Sequence, residues 1–160
     1  MEEGEYRDTY HDFNQRRCLF EKSILSRKTM CENAHRFCLA DREGVACQEQ
    51  SAHAQCTLLL TQLRNNARFA LKQTNLDEPL PHAKEIKIQT GGLLGLNSIL
   101  NNSPAQEPKS DQDQEVSIEN IFALVQAAIM KYGDLDSLPY GEIARMVVQF
   151  EGRKKRGTKI

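Results

Sequence analysis

The clearest hydrophobic pattern in the chain is helical and covers residues 51–72, SAHAQCTLLLTQLRNNARFALK. Its apolar residues recur every three or four positions, which places them on one face of an α-helix. They are Cys56, Leu59, Leu60, Leu63, Ala67, Ala70 and Leu71. Ser51 stands where an N-cap residue is expected. One or two further helices are predicted upstream by the weaker pattern of CLFEKSILSRKTMCENAHRFCLA, and a turn is predicted at DREGVAC.

A second helical pattern covers residues 115–152 and predicts a pair of helices. The first helix is predicted to begin after a cap at Ser117 and to stop at Gly133. The second has Pro139 near its first turn and is predicted to end at Gly152. Two helices cannot bury both apolar faces alone, so we expect this pair to pack against the first part of the chain or against another protein.

Between these patterns, residues 75–114 show no sustained periodicity. One short strand is the most that the alternation in KEIKIQT predicts. We interpret GGLLGL as a tight apolar connection and NNSPAQEPKSDQDQ as a flexible linker. The predicted fold is therefore mainly α, with a small helical domain around a cysteine-ligated centre, a short irregular middle with at most one short strand, and a C-terminal helix pair. Its parts are the cysteine-rich segment 14–74, the irregular segment 75–114, the helix pair 115–152 and the basic tail 153–160.

The cysteines change this picture, because all five lie within 39 residues and the 104 residues after Cys56 contain none. No short apolar leader follows the first Met, and no window approaches the roughly 18 consecutive apolar residues of a membrane span. We therefore expect a cytoplasmic protein that does not enter a membrane. Thiols are kept reduced in that compartment, so a cysteine cluster there favours metal binding or redox chemistry over structural disulfides.

The spacing of the cysteines favours a large inorganic centre. No C-x2-C pair occurs, which argues against a zinc ribbon, a thioredoxin motif and the ferredoxin run. Dispersed thiolates suit a [4Fe–4S] cluster, where separate helices and turns each contribute one ligand. The predicted cluster ligands are Cys18, Cys31, Cys47 and Cys56.

Several alternatives to this ligand set remain open. Cys38 lies between Phe37 and Leu39, and we interpret it as a packing residue that could replace one ligand. His35 and His53 stand one helical turn from Cys31 and Cys56, and they are weaker candidate ligands. A zinc ion held by such a mixed set is the alternative cofactor. Thiol switching without metal, and cysteines that only fill the core, are two further interpretations.

The charge pattern bears on partners. Residues 14–72 carry ten bases and five acids, and the tail 153–160 carries five bases and no acid. Arginines and a lysine near the thiols could stabilise an anionic centre electrostatically, namely Arg16, Arg17, Arg27, Lys28, Arg36 and Arg42. We expect a protein partner that docks through charged surfaces or the C-terminal helices. The basic tail permits contact with nucleic acid, but no aromatic residues are interleaved with it to stack on bases.

The sequence indicates a class of function but not a particular substrate or partner. No nucleophile–base arrangement is recognisable, so we expect a non-enzymatic redox or accessory protein. The leading hypothesis is a small iron–sulfur protein that transfers an electron to a partner or senses oxidants. The alternative is a zinc-stabilised interaction module that could contact nucleic acid and has no redox role.

Overall fold

The protein, described by a computed structural model over residues 2–71, 80–101 and 116–150, is mainly helical, as predicted. The described elements are α1 (Glu3–Phe13), α2 (Glu21–Leu25), β1 (Ala34–Leu39), β2 (Arg42–Cys47), α3 (Gln50–Ala70), α4 (His82–Asn101), α5 (Ile121–Tyr132), a 3₁₀ turn (Leu135–Ser137) and α6 (Tyr140–Gln149). None of the described helices is long and apolar enough to span a membrane.

The sheet is a two-stranded antiparallel hairpin, with β1 paired to β2 from Ala34↔Cys47 to Leu39↔Arg42. Its two turn residues, Ala40 and Asp41, have φ angles of 48° and 67°, which is the type I′ geometry that matches the twist of paired strands. The predicted helix through CENAHRFCLA is therefore wrong. Of the turn predicted at DREGVAC only Asp41 belongs to a turn, because Arg42–Cys47 form β2.

The long helix α3 is confirmed, and its predicted apolar stripe is buried at Leu59, Leu60, Leu63 and Ala67. Its N-cap is Glu49 rather than Ser51, because the Glu49 carboxylate accepts a hydrogen bond from the Ser51 amide at 3.4 Å. The helix thus begins two residues earlier than a cap at Ser51 predicted.

Helix α4 was not predicted. The interpretation of residues 75–114 as irregular, with a strand at KEIKIQT, is wrong for 82–101, where the chain forms one continuous helix. The glycines of GGLLGL lie inside this helix and allow close approach of its neighbours. A Cβ on Gly91 would lie 3.0 Å from Cα of Val147 in α6, and one on Gly92 would lie 2.8 Å from a methyl carbon of Leu63 in α3.

The C-terminal helix pair is confirmed as α5 and α6, and Gly133 closes α5 with a φ of 90°. The predicted cap at Ser117 is wrong, since Asn120 occupies the N-cap position. Residues before α5 instead pair with the segment before β1: the Met30 amide donates to the Ile118 carbonyl, and the Ile121 amide donates to the Met30 carbonyl, both at 2.9 Å. Gly152 and the basic tail 153–160 lie outside the described residues.

Helices α3, α4, α5 and α6 share one hydrophobic core with α2 and β2, as Phe20, Ile24 and Val45 are part of the same buried cluster as Ile88 and Ile143. The hairpin and the loops around α2 are therefore attached to the helical core. This attachment fixes the part of the chain that carries the cysteines.

Candidate functional site

Four of the five cysteines line one cavity, although they come from four different parts of the fold. Cys18 lies in the loop between α1 and α2, and Cys31 lies in the loop between α2 and β1. Cys47 is the last residue of β2, and Cys56 lies in the second turn of α3. All four are partly exposed free thiols. The cavity is small and partly open to solvent.

Backbone pairing holds Cys18 beside Cys47. The Cys18 amide donates to the Val45 carbonyl at 3.0 Å, and the Cys47 amide donates to the Arg16 carbonyl at 2.9 Å. The segment around Arg17 thus runs alongside β2 like a short third strand, with an antiparallel bridge to Ala46. Main-chain hydrogen bonds therefore position two of the four thiols, independently of any bound group.

The loop that carries Cys31 is fixed at both ends. The Ala34 amide donates to the Cys31 carbonyl at 3.1 Å and closes a turn. The Glu32 amide donates to the Asn120 side-chain oxygen at 3.2 Å, and the Gln48 amide donates to the Asn33 carbonyl at 2.9 Å. The Cys31 loop is thereby tied both to the start of α5 and to the residue that follows Cys47.

The remaining wall of the cavity is largely apolar. Its apolar side chains are Leu19, Phe20, Ala34, Ala52, Ile121 and Phe122. Phe20, Ala52 and Ile121 are buried. Such a wall excludes water and disfavours uncompensated charge among the thiols.

The pKa of the Cys18 thiol is raised to about 12, mainly by burial and also by charge repulsion from Cys31 and Cys47, although a hydrogen bond from the Phe20 backbone lowers it. Burial likewise raises the pKa of Cys56 to about 12, with Cys18, Cys31 and Cys47 acting in the same direction. The four sulfurs are therefore close enough to interact electrostatically. Without a compensating cation, Cys18 and Cys56 are protonated at neutral pH. A metal centre bound there would displace these protons.

His53 also lines the cavity, one helical turn before Cys56. Its Nε2 lies 3.0 Å from the Arg17 carbonyl oxygen. A carbonyl can only accept, so Nε2 carries the proton of this bond. The imidazole thus connects α3 to the residue immediately before Cys18.

Cys38 and His35 lie outside the cavity lining, on β1, and both are exposed. The interpretation of Cys38 as a buried packing residue is therefore wrong. The predicted helical relationship of Cys31 with His35 is also wrong, because β1 begins at Ala34.

Some of the basic residues that were predicted to surround the thiols form ion pairs with acidic side chains instead. Arg17 binds the buried carboxylate of Glu21, with 2.9 Å from Nε and 2.7 Å from a terminal nitrogen to Oε1. The same carboxylate accepts hydrogen bonds from the Tyr10 hydroxyl and from the Val45 amide. Arg42 pairs with Glu3 at 2.9 Å. Arg17 thus helps to anchor the Cys18 loop to α2, and its charge is compensated by Glu21.

Sequence reasoning missed Asn33, which also lines the cavity. Its side-chain nitrogen is buried and has no hydrogen-bond partner among the described residues. Its position two residues after Cys31 was the only sequence signal, and that signal is weak.

Comparison with protein-family models, curated proteins and solved structures finds no match to this chain. Among the described residues, no three His, Cys, Asp or Glu side chains are arranged as ligands of a single metal ion. The four thiols line one common cavity.

Proposed function

We propose that this protein binds a [4Fe–4S] cluster through Cys18, Cys31, Cys47 and Cys56 and acts as a redox or oxidant-sensing accessory protein. The observation that carries the proposal is that these four thiols, and not Cys38, line one cavity. Four thiolates are the complete ligand set of such a cluster. When bound, the cluster would supply one-electron chemistry that the side chains of this chain lack.

The surroundings of the thiols are suited to such a group. Phe20, Ala52 and Ile121 exclude water from the inner wall, and the polarity and hydrogen bonding around a cluster set its reduction potential. Burial raises the pKa of Cys18 and of Cys56, and a bound cationic centre would favour their thiolate forms. Main-chain bonds from Cys18 and Cys47 support the site from outside the cavity.

In this proposal the protein acts within a cytoplasmic complex. The partner is a protein that accepts or donates the electron, or that responds to loss of the cluster. It docks through charged surfaces or through the C-terminal helices, since Ile121 and Phe122 of α5 are themselves part of the cavity wall. Segregated charge along the chain would steer this encounter.

A zinc-stabilised interaction module is the second candidate, and His53 is the observation that favours it. Its ring lines the same cavity as the four thiols, and mixed cysteine–histidine sets are common zinc ligands. Zinc would require its ligands to approach within about 2.0–2.3 Å of one ion. No group of three such side chains among the described residues has that arrangement.

Metal and sulfide analysis of anaerobically purified protein tests the proposal. The expected result is a brown protein with about four irons and four acid-labile sulfides per chain. Single serine substitutions of Cys18, Cys31, Cys47 and Cys56 should each remove most of the iron. Cys38→Ser is the matched control and should retain it.

The alternatives give different results in the same experiment. A colourless protein with one tightly bound zinc would support the interaction module and reject the cluster. A protein without stoichiometric metal, whose electrophoretic mobility shifts on oxidation, would support thiol switching. Loss of iron in Cys38→Ser would contradict the ligand set.

A further inference from the structure

Asn33 is a polar residue in the wall of the cysteine cavity whose side chain is only partly satisfied. Its backbone carbonyl accepts from the Gln48 amide at 2.9 Å. Its side-chain nitrogen, in contrast, is buried and has no acceptor among the described residues. A buried N–H donor without an acceptor is unfavourable, and an isolated one requires an explanation.

The position of Asn33 is fixed by its neighbours. The turn that begins at Cys31 is closed by the Ala34 amide, and the intervening Glu32 amide is bound to Asn120. The bond to Gln48 holds Asn33 next to the end of β2, where Cys47 lies. The amide side chain thus projects from a constrained turn between two of the four cysteines.

We propose that the Asn33 side-chain nitrogen donates a hydrogen bond to a sulfur atom of the bound centre, either a cysteine thiolate or a sulfide of the cluster. This inference rests on the proposed [4Fe–4S] function and adds a residue that tunes it. An N–H donor to sulfur stabilises the reduced, more negative state of a cluster more than the oxidised state. Asn33 therefore raises the reduction potential without being a ligand.

A neutral amide is suited to this position for a chemical reason. A carboxylate would repel the anionic thiolates, and an apolar side chain would leave their sulfurs without a donor. A neutral donor compensates sulfur charge inside an otherwise apolar wall formed by residues such as Phe20 and Ile121.

The test is a redox titration of the anaerobic, full-length protein, followed by EPR. Asn33→Leu removes the donor with little change in volume. Gln48→Leu, at the exposed position after Cys47, is the matched control. The expected result is that Asn33→Leu keeps the iron content and thermal midpoint of the wild type but has a more negative reduction potential. Gln48→Leu should keep the wild-type potential.

A second measurement needs no variant that might misfold. Wild-type protein labelled with [¹⁵N]asparagine should show a weak ¹⁵N hyperfine coupling in the reduced, paramagnetic state, because Asn33 is the asparagine in the cavity lining. A wild-type potential in iron-replete Asn33→Leu, or absence of the ¹⁵N coupling, would overturn the inference. Wild-type protein that contains no cluster would instead refute the proposed function itself, before any Asn33 variant is compared.

Discussion

The imidazole of His53 and the backbone carbonyl of Arg17 lie 3.0 Å apart, from Nε2 to oxygen. This bond joins the first turn of the long helix α3 to the loop that carries Cys18. Cys56 lies one turn further along the same helix. Two of the four thiols are thus held relative to each other by a histidine that need not be a ligand itself. In metal sites, such supporting hydrogen bonds orient the ligands and affect affinity.

Replacement of His53 by alanine should weaken retention of the centre without abolishing it. The Cys18 loop loses one anchor but keeps its main-chain bond to Val45. We expect about 10- to 100-fold faster loss of iron to a chelator, the range typical for removal of a supporting residue. The control is His35→Ala, at an exposed position on β1, which should lose iron at the wild-type rate. Complete absence of metal in His53→Ala would make His53 a ligand and would favour the zinc site.

Cys38 should be the reactive thiol of the purified protein. It is the exposed cysteine on β1, whereas the other four are partly buried around the cavity. We expect a maleimide to modify Cys38 at least about tenfold faster than any other cysteine, because reactivity follows access and thiolate character. Peptide mapping by mass spectrometry measures the adducts, and the iron content should not change. A first adduct at Cys47 or Cys31 would show that the cavity is open to reagents and is not protected by a bound centre.

The hydrophobic pattern was sufficient to predict the helices that have one regular apolar face. In α3 the buried residues Leu59, Leu60 and Leu63 follow the helical repeat, and the buried residues of α5 and α6 are spaced in the same way. Helix α4 was missed because Gly91, Gly92 and Gly95 lower its helix propensity. These glycines are compatible with a helix here because α3 and α6 approach α4 closely. Such contacts between distant segments cannot be predicted from the local sequence.

The hairpin was missed for a related reason. Its turn uses Ala40 and Asp41 with positive φ, without the glycine that normally marks a type I′ turn. The burial of Val45 and the pairing of β2 with the segment around Arg17 compensate for the conformational cost of these positive φ angles. The four predicted ligands could be selected from spacing and flanking residues, and the structure places them around one cavity. Asn33 could not be found in this way, since its significance depends on an amide that lacks a partner in three dimensions.

Substitution of Gly91 by alanine should destabilise the protein. The added methyl group would lie 3.0 Å from Cα of Val147 and 3.1 Å from Cβ of Phe150, so the backbone of α6 itself must move. Overpacking of this kind costs about 1–3 kcal/mol, which urea denaturation can measure. Gly141→Ala is the matched control, because it also lies in a helix but has no atom within 4 Å of the added Cβ. That control should be neutral or stabilising by up to about 1 kcal/mol. Equal effects of the two substitutions would contradict the close contact of α4 and α6.

A buried carboxylate connects α3 and α4. Nε of Arg64 donates to the two oxygens of Glu85 at 3.1 and 3.2 Å, and Nε2 of Gln89 donates to Oε1 at 2.9 Å. Burial of Glu85 acts to raise its pKa, but the hydrogen bonds and charge of Arg64, together with Gln89, outweigh it and hold the pKa below 4.5. The ionised carboxylate is therefore the form that the folded state stabilises.

With Glu85→Gln, the free energy of unfolding should therefore depend less on pH in the acid range. At pH 7 we expect a loss of about 1–3 kcal/mol, the typical value for a hydrogen bond to a charged group. Because the folded-state pKa is lowered, the wild-type advantage is fully present above pH 4.5 and disappears as the pH falls through the folded-state pKa. Urea denaturation of both proteins between pH 7 and pH 3 measures this convergence. Glu43→Gln, at an exposed position on β2, should stay within about 0.5 kcal/mol of the wild type at pH 7. A constant difference between wild type and Glu85→Gln across the whole pH range would mean that Glu85 stabilises the fold through its shape and not through its charge.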